Sequence, residues 1–419
     1  MREGWETFTL DELCEFFDRR GVTPKKLGSQ FLSSGYRVIS AKNIKERKIL
    51  TSVGEQRFVD EPTYKKWMKS PLLEDDVLLT SEAPLGEPAY ITKDIEWCIG
   101  QRLFGLRADK TKLYGRFLFY AFQSPIVRSD LMSRATGATA QGIRQAELRK
   151  VKVNLPCVPE QKRIVAILDE TFAGIDAAIA NTEKKLANAR ELFESYLDSV
   201  LTKKDLGCKN KTLEEVVESD CSLSYGIVQP GKDYDGGLPV VRPTDLTMKE
   251  IKIDNLKRIN PELARSYSRT TLKGDDLLLC VRGSTGVVSV ASEELKGSNV
   301  TRGIVPIRFN PLEIDQDFGY YILKSVYVQK QIREKTYGAA LMQINIRDLK
   351  KIDVPFPELD KQKELVENLN TLNVDTSRLE VIYQQKINSL KELKQSLLQK
   401  AFSGELTAEG DKLMDEAVA

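Results

Sequence analysis

The sequence predicts an α+β protein with a pseudo-two-fold internal repeat: two similar globular domains separated by two long antiparallel helices packed as a coiled coil. Three observations predict it. The stretch TGATAQGIRQAELRKVKVNLPCVPEQKRIVAILDETF is echoed by YGAALMQINIRDLKKIDVPFPELDKQKELVENLN, and Gly137/Gly338, Leu148/Leu349, Pro156/Pro357, Gln161/Gln362 and Leu168/Leu369 all share an offset of 201. A long helical pattern follows each copy of that phrase. The length of 419 residues suits two or more domains.

Residues 1–155 read as the first globular unit. Thr9-Leu10 leads a short helical turn through Leu13, Phe16 and Phe17, which Gly21-Val22-Thr23-Pro24 closes. Tyr36–Ile39 is a strand candidate; Asp76–Thr80 is a clearer one, apolar and followed by a turn at Gly86. From Phe117 to Met132 the apolar residues fall at helical spacing, which predicts a helix. Residues 207–357 repeat the plan: Thr212-Leu213, Leu238–Val241, Asp276–Cys280, Gly286 and a helix from Phe318 to Ile332 answer in order. The loops between share almost nothing, so one scaffold carries two different sets of loops.

The helices are predicted at 156–206 and 358–403, with 404–419 a flexible tail. In the first, Ile164, Leu168, Phe172, Ile175, Ile179, Thr182, Leu186, Ala189, Phe193, Tyr196 and Val200 are separated by alternating threes and fours after an opening pair of fours, a coiled-coil seam. Leu365, Leu369, Leu372, Leu379, Tyr383, Leu390, Leu397 and Ala401 form the second seam. About 40 helical residues span ~60 Å, too long for one helix to hide its apolar stripe alone. Leu192, Leu197 and Tyr196 are candidates for an outward face that meets a partner.

Composition excludes much chemistry. With no histidine, Ser-His and Cys-His dyads and HExxH zinc sites are impossible. The chain also lacks a GxxxxGK[ST] phosphate loop, a GxGxxG turn and an NPPY-like methyltransferase tetrapeptide. Glu160-Gln161-Lys162 has a nuclease-like ExK form but opens a helix, where an early acid is favourable. Six scattered cysteines without a CxxC pair read as reduced structural thiols. No apolar run reaches membrane-span length, and MREGWETFTL is not a signal peptide, so a cytoplasmic protein without a membrane partner is expected. A net charge of +2 neither suggests nor excludes nucleic acid.

The order domain, long helix, domain, long helix, with LPCVPEQKRIVAIL and its GAT-x-QGI prelude repeated in outline, resembles the specificity subunit of type I restriction-modification systems. The second copy departs at Glu358-Leu359-Asp360-Lys361-Gln362, and the first carries Glu82-Ala83 where the second has Arg282-Gly283. The resemblance implies a noncatalytic chain whose globular units are target recognition domains, each reading one half of a bipartite, asymmetric site in double-stranded DNA. It further implies that the helices set the spacer and dock two modification subunits. No cofactor is then expected in this chain: S-adenosylmethionine would bind the modification subunits, and ATP and Mg²⁺ the restriction (motor-nuclease) subunits.

DNA reading needs Lys and Arg at phosphates and Arg, Asn, Gln, Ser or Thr at base edges. The first-domain candidates are Arg19, Arg20, Lys25, Lys26, Lys42, Asn43, Arg102, Thr139, Gln141 and Arg144. Those of the second are Arg242, Thr244, Arg282, Ser284, Thr285, Arg302, Gln343, Asn345 and Arg347. Arg282 and Arg302 stand out because they adjoin Gly-containing loops after strands, and Gly283-Ser284-Thr285-Gly286 reads as a hairpin turn. The rivals are a methyltransferase or nuclease with a cryptic carboxylate centre and a purely structural coiled-coil adaptor.

Overall fold

In the computed structural model, which describes residues 4–137, 141–202, 207–338 and 341–408, each globular half opens with the same device. The Glu12 carboxylate accepts the N–H and O–H of Thr9, both at 2.7 Å, and starts the helix Leu10–Leu13. Glu215 does the same for Thr212 at 2.8 and 2.6 Å. Phe16 and Phe17 do not continue the first turn as expected. Cys14 leaves the helix in extended conformation, and Cys14–Asp18 pairs antiparallel with Leu103–Ala108 as a strand.

The chain divides into two compact units, residues 1–182 with 385–419, and residues 183–384. In the first, an antiparallel sheet runs in the order Cys14–Asp18, Leu103–Ala108, Val77–Thr80, Pro88–Tyr90. A smaller sheet orders Phe58–Val59, Tyr36–Ile39 and Cys98–Ile99, and Glu6–Thr9 pairs with Lys152–Leu155. The second unit has Ile304–Ile307, Leu277–Cys280 and Val288–Ala291 in the matching places, but adds Glu250–Ile251 in parallel at one edge. The copies therefore share a sheet centre and differ at its margins, where the loops diverge.

Neither of the two predicted globular-domain helices is continuous. Ser124 follows Gly115–Ala121 and caps a new helix, Pro125–Ser133, its Oγ accepting from Val127 N at 3.3 Å. Ser325 likewise divides Gln316–Lys324 from Val326–Lys335. A serine that accepts a backbone bond, with Pro125 next to it in the first copy, favours a restart over a continued helix.

The two long helices, Val158–Thr202 and Leu359–Ser403, have 45 residues each and run antiparallel. Within the first unit Lys394 reaches Asp176 and lies 4.7 Å from the Phe172 ring, while Phe402 meets Phe117 at 4.7 Å. Within the second, Arg190 pairs with Glu380 at 3.0 Å and Phe193 approaches Tyr321 at 6.1 Å. Leu192 does face outward, 57 % exposed, but Leu197 is 2 % exposed and belongs to the second domain's core, which corrects its outward assignment. The expected tail is also held in part: Leu406 packs on the first core and Thr407 is buried, while residues 409–419 lie outside the described residues.

The repeated glutamine joins helix to domain in both copies. Gln161 accepts from Tyr114 N at 2.9 Å and donates to Lys112 O and Pro156 O at 2.8 and 2.9 Å. Gln362 repeats all three contacts, with Asp315 N, Glu313 O and Pro357 O at 2.8, 2.7 and 2.8 Å. Both side chains are buried, so every polar atom needs a partner, and each has one.

Candidate nucleic-acid interface

In the second domain the strand Leu277–Cys280 runs past Cys280 into a loop edge built by backbone bonds. Val281 N donates to Gly303 O at 2.8 Å, Ile344 N to Val281 O at 3.0 Å, and Gly283 N to Met342 O at 2.8 Å. Arg282 and Gln343 form a bridge, as do Tyr337 and Gln343. Arg302 N is tied to Ile227 O at 2.8 Å, and Tyr225 Oη donates to Ile344 O at 3.0 Å. The edge thus gathers Arg282, Ser284, Thr285, Arg302, Gln343 and Asn345. Thr285 Oγ1 is spent on Met342 O at 3.3 Å, and Asn345 accepts from Tyr337. Ser284, Arg302, Asn345 and Arg347 are exposed. Gly283 and Gly286 have φ of +89° and +96°, which makes the segment a turn that glycine permits.

Arg242 and Thr244 sit on the adjoining turn. A Cβ on Gly303 would come 2.4 Å from Pro243 Cγ, so the two segments touch. Arg242 is held by Asp245 at 2.9 Å, and that bond raises its guanidinium further above the usual value. Tyr225, Tyr337, Leu341 and Met342 also belong to this edge and were not on the sequence-based list; the last three are exposed large hydrophobics. The available signal was an aromatic or apolar residue in a polar loop with no helical or strand period to bury it.

The first domain builds the same edge with other side chains. Ser81 N donates to Arg102 O at 2.9 Å, Ile143 N to Ser81 O at 3.0 Å, and Glu82 and Gly142 form the bridge that Arg282 and Gln343 form above. Arg102 Nε lies 3.0 Å from Glu82. Arg20 takes the place of Tyr225, donating to Ile143 O at 3.4 Å. It stacks 4.0 Å from the Phe104 ring and grips Asp18 with two bonds of 2.9 and 2.7 Å. Burial raises the Asp18 carboxyl, but the Arg20 bonds outweigh it and hold it below its usual value.

The other first-domain candidates scatter. Gln141 and Arg144 are exposed on the loop that leads into the helix Gln145–Leu148, before the strand Lys152–Leu155, and Lys42 is exposed on its own turn. Lys25 and Lys26 are exposed on the turn Pro24–Leu27, where Lys26 Nζ donates to Gly21 O at 2.8 Å. Arg19 is half-buried, with its Nε lacking a hydrogen-bond partner. Thr139 lies outside the described residues. Asn43 is a correction: it is buried, donating to Leu50 O and Val53 O at 3.2 and 3.0 Å and accepting from Ser40 N at 3.0 Å. It shapes a loop and has nothing left to offer a ligand.

Among the described residues there is no group of three or more metal-ligating side chains and no helix long and apolar enough to cross a membrane. A family model described as the type I restriction modification DNA specificity domain matches twice, over residues 2–188 and 207–392. The chain belongs to the type I restriction-modification specificity family. The EcoBI specificity subunit of Escherichia coli is 25 % identical over 340 residues, covering 75 % of this chain and 71 % of its own. The EcoKI specificity subunit of Escherichia coli strain K12 is 22 % identical over 432 residues, covering 98 % and 90 %. A chain solved in work on complex assembly and conformational transition of the type I R-M system superposes with TM-score 0.72 at 20 % identity, covering 97 % of this chain and 99 % of its own. The HsdS subunit of Thermoanaerobacter tengcongensis gives TM-score 0.53 at 18 % identity, with 97 % and 98 % covered. The two matches of the specificity-family model fall one on each half of the repeat.

Proposed function

We propose that this chain is the noncatalytic sequence-reading subunit of a type I restriction-modification complex, each globular domain recognising one half of a bipartite, asymmetric DNA site. The observation that carries this reading is one backbone edge, built twice, with Glu82, Gln101, Arg102 and Arg20 in one copy and, in the same places, Arg282, Arg302, Gly303 and Tyr225 in the other. Different side chains on one frame suit two unlike half-sites. The long helices set the spacer and dock two modification subunits, which carry the S-adenosylmethionine chemistry; restriction subunits supply the ATP- and Mg²⁺-dependent motor and nuclease. Apolar residues exposed on those helices, Leu192, Val374 and Val381, support a docked partner. The absence of histidine from all 419 residues agrees with a chain that leaves chemistry to others.

The test expresses the chain with its modification subunits in a host lacking adenine methylation and maps the methylated sites. A bipartite motif with a fixed spacer is expected, and replacing residues 1–155 by another such domain should change one half only. Methyl transfer by the isolated chain, or a contiguous motif, would overturn the reading.

A further inference from the structure

We propose that Glu82 and Arg102 together read one C·G base pair in the first half-site, Glu82 accepting from the cytosine amine and Arg102 donating to the paired guanine. The inference rests on the first domain being a half-site reader. Glu82 stands where the second copy has Arg282, two residues beyond the strand that ends at Thr80 in one copy and Cys280 in the other, and is bridged to Gly142 as Arg282 is to Gln343. A carboxylate there is chemically opposite to its counterpart, which asks what it would meet.

The surroundings narrow the answer. Asp18, Arg20, Gly21, Glu82, Gln101 and Arg102 line an open cleft of about 500 Å³. Its two arginines are already matched by two carboxylates, so a phosphate entering it would meet Asp18 and Glu82 as well. The Asp18–Arg20 pair is locked by its two bonds, the Phe104 ring and Ile143 O. Its side chains are 23 % and 28 % exposed, against 42 % for Glu82 and 52 % for Arg102. Only the second pair has outer edges free to bond something new. Arg102 also has φ +63°, a left-handed conformation that a non-glycine residue keeps when its surroundings over-determine it, and such residues cluster at functional sites.

In the major groove a guanine edge presents two acceptors and the paired cytosine presents an amine donor beside them. An A·T pair instead places one donor between two acceptors and ends in a methyl group. Arginine bidentate to guanine and a carboxylate accepting from cytosine are the matching contacts. A Glu–Arg pair joined at 3.0 Å carries both functions side by side, complementary to C·G and mismatched to A·T. The second domain has Arg282 in the place of Glu82 and, by strand register, Gly303 in the place of Arg102, so it lacks both members of the pair and would read its half differently.

The test selects duplexes from a random library on the full chain with its modification subunits. One half of the enriched site should contain an invariant C·G pair that relaxes in Glu82→Leu and in Arg102→Ala, with the other half unchanged as the control for folding. Replacing that cytosine by a pyrimidinone lacking the exocyclic amine should weaken binding to the unsubstituted complex about 5- to 150-fold and leave binding to the Glu82→Leu complex unchanged. Equal losses in both complexes, or a C·G pair that responds to neither variant, would overturn the assignment while leaving the proposed function intact. Enrichment of no sequence by the unsubstituted complex would remove the proposed function, and this inference with it. Should a variant lose both half-sites together, the analogue on the unsubstituted complex decides alone: no weakening there defeats the pair.

Discussion

Arg302 and Asn43 look alike in sequence, each a polar residue near a turn, and the structure gives them opposite jobs. Arg302 is exposed while its amide is fixed to Ile227 O, so its side chain is free and its root is not. Arg302→Ala is expected to cut discrimination at one base pair of the second half-site by about 1–3 kcal/mol, as read by competition binding with single-mismatch duplexes. A loss spread evenly over both halves would assign Arg302 a general phosphate contact instead. Asn43→Ala removes the partner of Ser40 N and the donor to Leu50 O and Val53 O, which are then left to water or to nothing. Its expected effect is a loss of about 1–3 kcal/mol in stability, seen in urea unfolding, with the methylated motif unaltered. Burial separates the two cases, and burial in a loop leaves no periodic signature in a sequence.

At the scale of elements, the buried glutamines are the joint between each long helix and its domain. Gln161→Leu should leave Tyr114 N–H and the Lys112 and Pro156 carbonyls unpaired, at about 1–3 kcal/mol for each group that water cannot reach. Unfolding of the Gln161→Leu and Gln362→Leu proteins should show comparable losses, since the contacts are the same; a near-neutral Gln161→Leu would refute the joint. That joint is legible in the sequence because Gln161 and Gln362 share the offset of the whole repeat, and duplication survives where local pattern fails. Local pattern fails at Phe16 and Phe17, whose helical spacing from Leu13 is outweighed by ladder bonds to Leu106 and Gly105. It fails again at Leu197, one residue past the Tyr196 seam position yet buried by a domain far away in sequence. Glu82 was legible only as a departure between the copies, because pairing it with Arg102 requires knowing that residues 82 and 102 flank one strand pair.

The whole molecule adds a length. Both long helices pass unbroken through the division between the compact units, at Thr182 in the first and before Gln385 in the second. If they set the spacer, extending both there should move the two reading edges apart without touching either. Seven residues preserve the alternation of threes and fours, so a heptad inserted after Thr182 and another before Gln385 keeps the antiparallel seam in phase. The addition is about 10.5 Å at 1.5 Å per residue, and DNA rises about 3.4 Å per base pair, so the preferred spacer should lengthen by about three base pairs with both half-sites unchanged. A heptad in the first helix alone leaves its partner short and should weaken recognition rather than reset it. Mapping methylated motifs for the three chains separates these outcomes. An unchanged spacer in the doubly extended chain, with both halves still recognised, would show that something other than helix length measures the distance.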